Sequence, residues 1–203
     1  MFIEHLNLEK IVLVTWSSGS PISSLVAMNR PDLVAGVVLY EPNTLDIDDE
    51  SDSDYPSAGK QRFLGTFKRI FKHLEDGDPE SATKAFLETV FENTASEFET
   101  ELMAIQRVVL DNVKTVPLHF SSNSPEDVKF TCNDLAKIDV PVLVLFGEQT
   151  NEYWQYRARR YSECATHAAI SEIEGVNHAG PIRVPDKIFS HINQFVDSVL
   201  DTN

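Results

Sequence analysis

The chain has 203 residues and carries 17 Lys and Arg against 32 Asp and Glu, a formal charge of −15 with histidine neutral. That length suits one domain with an insertion and is enough to bury a sizeable core. The charge repels phosphate and argues against nucleic acid or an anionic membrane surface as a partner.

The chain opens Met1-Phe2-Ile3-Glu4-His5, without the basic start of a secretory leader, and no apolar run approaches the ~18 residues of a membrane span. Residues 10–14 form a short apolar run rich in β-branched side chains, the pattern of a strand covered on both faces. A helix is predicted over 18–29, with Ile22, Leu25 and Val26 at helical spacing and Pro21 tolerable in the first turn. Residues 35–40 give a second buried strand that stops at Glu41-Pro42. Strand, helix and strand with short joints make a βαβ unit, which implies a parallel sheet.

The texture then changes. Residues 46–54 hold six acids in nine positions. No register puts Gly and Glu where a calcium loop needs them, so a solvated acidic loop is expected. Amphipathic helices follow, with one apolar stripe of Phe63, Phe67, Ile70, Phe71 and Leu74 that Gly77 closes. A second, opened by Pro79, places Ala82, Phe86, Leu87, Val90 and Phe91 on one face. Residues 102–113 read as a third helix. Such a stretch is either ordinary core or a cap with an apolar inner wall.

From residue 140 the first texture returns, with a buried strand over 140–146 ending at Gly147 and a helix over 153–164. A strand over 168–173 and an amphipathic helix over 185–200 complete the chain. The expected organisation is therefore 1–43 and 134–203 as an α/β core, with 44–133 as the acidic loop and helical insertion. Two cysteines, Cys132 and Cys164, are too few and too far apart in sequence for a disulfide framework or a Cys-x-x-Cys metal site. Reduced thiols in a cytoplasmic protein are expected.

Chemistry concentrates at two places. Thr15-Trp16-Ser17-Ser18-Gly19-Ser20 joins the first strand to its helix, and a serine on such a turn is held above the sheet edge with its hydroxyl exposed. Small residues suit this close approach of strand and helix, a need that Gly19 and Ser20 meet and Thr15 does not. Far along the chain, Glu174-Gly175-Val176-Asn177-His178-Ala179-Gly180 follows the last strand. His178 sits there within reach of a serine on a neighbouring strand, the pairing that nucleophilic acyl chemistry uses. The other histidines, His5, His73, His119, His167 and His191, need no functional account. None of the six forms His-x-His or His-Glu-x-x-His, so no metal or other cofactor is expected.

The nucleophile-turn sequence of residues 11–20, the strand and Glu41-Pro42 of residues 37–42, residues 141–148 and residues 175–178 resemble, in order and spacing, the α/β-hydrolase fold family. The resemblance implies a mostly parallel sheet with flanking helices and a helical cap insertion. It implies Ser17 as nucleophile, His178 as general base and the backbone N–H of Ser18 as one oxyanion donor. It also implies action on small carboxylic esters or related acyl compounds, with Phe67, Phe71 and Phe86 expected to line an acyl pocket.

Two departures from the family pattern matter. The acid commonly lies three residues after the glycine that ends the penultimate strand, and here that position is Thr150. Some members place it at the end of the strand after the nucleophile helix, which is Glu41. Glu41 is therefore the expected orienter of His178, with Glu148 as the alternative. The family also has strands before the nucleophile strand, and a loop among them supplies a second oxyanion N–H. Residues 1–6 resemble only the end of the helix leading into that strand. The expectations that follow are a catalytically silent relative as the alternative function and an open edge at residues 11–14 that pairs with a second copy.

Overall fold

The computed structural model describes residues 2–43, 57–91, 103–119 and 130–200, so the acidic loop lies outside the described residues. Two compact units emerge, one of Met1–Tyr55 with Pro125–Asn203, the other of Pro56–Ser124.

The larger unit opens with α1 (Phe2–His5), β1 (Ile11–Trp16), a 3₁₀ turn (Ser17–Gly19), α2 (Ser20–Asn29) and β2 (Val34–Tyr40). The order of its strands in space follows the chain, β1-β2-β3-β4, with β3 spanning Val142–Gly147 and β4 Ala168–Ile173. All three pairings are parallel. This is the α/β architecture with a parallel sheet that the alternation of strand and helix patterns implies.

Every residue of β2 and β3 is buried, which explains why both read as continuous apolar runs rather than alternating ones. Their side chains divide by pleat. Val37, Leu39, Val142, Val144 and Phe146 pack with Ala27 of α2 and with Ala158 and Tyr161 of the helix Glu152–Cys164. Val38, Tyr40, Leu143 and Leu145 pack instead with Ile188 and Ile192 of the helix Pro185–Leu200. The sheet is thus a central layer between helices on both faces.

The smaller unit holds α3 (Ser57–Glu75), α4 (Pro79–Val90), α5 (Met103–Asp111) and α6 (Thr115–His119). Gly77 at φ +74° ends the first of these, and the Asp78 carboxylate caps α4 by accepting the Ser81 N–H at 3.0 Å. Ile70, Ala82, Ala85 and Val116 form its core, with Phe67 and Phe86 packed against it. Phe71, on the margin of the α3 stripe, is 45% exposed. Phe67 and Phe86, two of the three phenylalanines expected at an acyl pocket, are partly buried and pack against the core of their own unit.

Four further helices are described in the larger unit: α7 (Cys132–Leu135), α8 (Glu152–Cys164) and, after β4, α9 (Gly180–Arg183) leading into α10 (Pro185–Leu200). Short helices of four residues carry too little periodicity to be read in advance.

Here the structure corrects the cysteine expectation. Cys132 and Cys164 are joined in a disulfide, with Cα atoms 4.8 Å apart across a separation of 32 residues. Thr131 caps α7 and so fixes Cys132 at its first position. Cys164 closes α8, which runs back along β3 to meet it. Among the described residues no helix is long and apolar enough to cross a membrane.

Closing a loop of this length removes entropy from the unfolded chain equivalent to about 3–4 kcal/mol. Reduction, or the paired change Cys132→Ser with Cys164→Ser, is accordingly expected to lower the urea midpoint by that equivalent. An unchanged midpoint would show that the bond contributes nothing to stability.

Candidate active site

Strand register brings the site residues to one edge of the sheet. Trp16 is paired with Tyr40 and Tyr40 with Leu145, so Ser17 and Glu41 each leave the sheet one residue beyond the same level, beside the end of β3. Both do so in the left-handed region, Ser17 at φ +50° and Glu41 at φ +46°. That conformation costs a non-glycine residue of order 1–3 kcal/mol and persists only where the surroundings enforce it.

At Ser17 the backbone switches abruptly, since Trp16 is still extended at φ −126° and ψ 135°. The sharp reversal presents Ser17 at the strand end and places Ser18 in the turn that feeds α2. Ser20 secures the turn: its hydroxyl donates to the Ser17 carbonyl at 2.7 Å and accepts the Asn43 N–H at 2.8 Å. Thr15, bulkier than the position favours, is accommodated by Gly19, where an added Cβ would lie 3.2 Å from the Thr15 Cβ. Its hydroxyl is paired with that of Ser23 at 2.9 Å.

Glu41 and His178, 137 residues apart in the chain, meet at 2.5 Å between Oε2 and Nδ1. Their side chains are 0% and 1% exposed. The same oxygen accepts the Thr150 hydroxyl at 3.1 Å, while Oε1 accepts the Gly147 N–H at 2.9 Å. Thr150, the position where the family commonly carries its acid, thus contributes a donor to the carboxylate that stands elsewhere. The Glu148 carboxylate is turned to a different task and accepts the Gly175 N–H at 2.9 Å, at the start of the histidine loop.

That loop is fastened from several sides. Tyr40 donates its hydroxyl to the Asn177 carbonyl at 2.7 Å. Burial, and after it the charge of Glu41, holds the Tyr40 phenol far above the ordinary tyrosine range, so it remains a neutral donor. The Val176 carbonyl accepts the Gln149 N–H at 2.8 Å. Gly147 permits this approach, because a Cβ there would fall 2.1 Å from the Val176 oxygen.

Sequence reasoning missed the aromatic walls of the histidine. The Trp154 indole stacks on the His178 ring, centroids 4.6 Å apart and planes 15° apart. Trp16 stands on it at 5.5 Å, tilted by 49°. These are the only two tryptophans in the chain. One directly precedes Ser17 and the other follows Gly147 by seven residues, a placement near two strand ends that was available in the sequence. Chemically, the arrangement is a carboxylate-oriented imidazole at the sheet edge where a strained strand-to-helix turn carries Ser17.

A family model described as the alpha/beta hydrolase fold matches residues 1–151. The chain belongs to the alpha/beta hydrolase fold family. No curated protein matches it in sequence. Solved structures similar to this family member include an alpha/beta hydrolase from Sphaerobacter thermophilus, with TM-score 0.66 and 17% identity over 96% of this chain and 70% of that one. MenH from S. aureus aligns with TM-score 0.64 and 18% identity over 98% and 72%. Naproxen esterase from Bacillus subtilis aligns with TM-score 0.64 and 16% identity over 96% and 62%. At such identities the likeness is one of fold, and the chain spans 62% to 72% of the length of these three.

Because the Gly147–Val176 approach is between backbones, no rotamer change relieves it. Gly147→Ala is expected to destabilise the α/β hydrolase core by about 1–3 kcal/mol and to increase amide exchange selectively in residues 174–180. Unchanged protection there would mean that the loop is held by other contacts.

Proposed function

We propose that the chain is a serine hydrolase acting on small carboxylic esters or related acyl compounds. The observation that carries this reading is the buried Glu41–His178 pair at the strand end next to the strained Ser17 turn. In it, Ser17 Oγ attacks the carbonyl carbon while His178 Nε2 takes the hydroxyl proton. Glu41 holds the ring by Nδ1 and stabilises the imidazolium as it forms. The Ser18 backbone N–H is a donor to the developing oxyanion. Collapse expels the alcohol, which receives the proton from His178, and leaves an acyl-serine that a water molecule hydrolyses by the same route.

Fold neighbours support the reaction class. Naproxen esterase of Bacillus subtilis and carboxylesterases of Nitrososphaera gargenis share this architecture, although fold alone fixes no reaction. Since the two cysteines are bonded, cytoplasmic residence loses the free thiols on which it rested, and the hydrolase proposal does not depend on it.

A fluorophosphonate is expected to label Ser17 and no other serine, and Ser17→Ala to abolish both labelling and hydrolysis of a p-nitrophenyl ester. Glu41→Gln is expected to lower kcat about 10⁴-fold, since an amide cannot stabilise the imidazolium, while Glu148→Gln leaves it nearly unchanged. Label on another serine removes Ser17 from the role, and the reverse ranking of the carboxylates moves the acid to Glu148.

A second reading, association through β1 with or without catalysis, is favoured by the position of that strand at the end of the sheet order. Val14 is 50% exposed and Phe189 of α10 is 56% exposed. Both line an apolar groove of about 160 Å³ with Trp16 and Ile188. An open apolar edge templates pairing with another chain, and the proposed partner is a second copy. Leu13, by contrast, packs against the core, so Val14→Lys is the informative change. It is expected to convert an associated species to monomer in light scattering at tens of micromolar. A wild-type monomer, or association that persists in the variant, removes this reading.

A further inference from the structure

Trp154 lies 2% exposed on the first turn of α8. Its backbone N–H donates to the Asn151 side chain at 3.0 Å, so the helix cap fixes the very residue whose ring meets His178. Tyr153 stands edge-on to the indole at 5.6 Å and 65°, which limits rotation of that ring in turn. The Glu41 carboxylate bonds the imidazole at its edge. A single in-plane hydrogen bond sets the distance and direction of Nδ1, yet leaves the ring free to tilt about the N···O line. A face-to-face stack at 4.6 Å and 15° opposes that tilt. The two contacts are therefore orthogonal constraints on one ring.

We infer that Trp154 is a positioning residue for the proposed hydrolysis, acting through His178 and not on the substrate. The inference rests on the serine-hydrolase reading and deepens it. Its physical content is twofold. By blocking tilt, the indole keeps Nε2 aimed at the serine side of the site. The electron-rich indole face also attracts a cation more than a neutral ring, and His178 is cationic only while the proton is in its keeping. A contact that strengthens as the transition state forms raises kcat and leaves substrate binding alone.

The test compares Trp154→Phe, which keeps a π face, with Trp154→Leu and Trp154→Met, which fill space without one. Rates are normalised to the fraction of protein labelled by fluorophosphonate, so that loss of folded enzyme does not count. Trp154→Leu and Trp154→Met are expected to lower kcat about tenfold with KM unchanged. Trp154→Phe is expected to stay within about threefold of wild type. A purely structural role would lower the labelled fraction and leave kcat per labelled site the same in all variants, which overturns the inference.

A second readout does not need turnover. The His178 Nδ1–H proton is expected as a downfield ¹H resonance, assigned by its absence in His178→Gln. It should persist in Trp154→Phe and broaden in Trp154→Leu as the ring tilts and exchanges with water. If the wild type has no esterase activity but the resonance behaves in this way, the hydrolase reading falls while the positioning by Trp154 stands. If the resonance is identical in wild type and Trp154→Leu, the positioning falls whatever the activity.

Discussion

A carboxylate taken wholly out of water has to be met by protein donors, and the arrangement of the α/β core follows from meeting that requirement at Glu41. Three donors converge on it: the Gly147 N–H at the end of β3, the Thr150 hydroxyl in the turn before α8 and the His178 ring from the loop after β4. Each arrives from a different part of the chain, so the pair forms only when β2, β3 and β4 stand in their observed register. Apolar replacements for buried pairs of this kind are often neutral or favourable for stability. What the burial of this one does is fix where the imidazole stands.

The two left-handed residues belong to the same constraint. Ser17 and Glu41 end adjacent strands, and a residue that turns sharply at a strand end directs its side chain above the sheet instead of continuing the ladder. Glycine would adopt this conformation without strain but has no side chain to offer. Asn7, also at positive φ, is of a residue type that tolerates the region. Among the described residues the non-glycine strain thus falls, apart from that asparagine, on the two strand-end residues that the proposed hydrolysis would use.

Much of this was legible in the residues. Continuous apolar runs identified β2 and β3 because both faces are covered, and Ser-Ser-Gly after a strand marked the turn. Glu41 was preferred to Glu148 because the family resemblance offers the end of the strand after the nucleophile helix as an alternative place for the acid, and it is Glu41 that meets His178. Other features were not, for reasons that are physical. The disulfide depends on where α8 ends in space, and a gap of 32 residues says nothing about that. The Trp154 stack depends on rotation of α8 about its axis, which periodicity predicts only to within a residue or so. Phe67 and Phe86 carried an apolar pattern that fits a pocket wall and a helical core equally well. In the helical unit both pack, partly buried, against its core.

Thr150 carries a consequence for where the carboxylate of such a site is sought. Its hydroxyl and the His178 nitrogen meet on a single oxygen of Glu41. Positions 41 and 150, one at the end of β2 and the other in the turn after β3, therefore address one point beside the imidazole. Two carboxylates placed there would repel, and one would have to stay protonated, so a charge at one position selects for a neutral donor at the other. A carboxylate at either address would face the same edge of the His178 ring. What meets the histidine is then set by a location in space, and a rule that looks for a carboxylate only at a fixed offset behind a glycine stops at Thr150 and passes over Glu41.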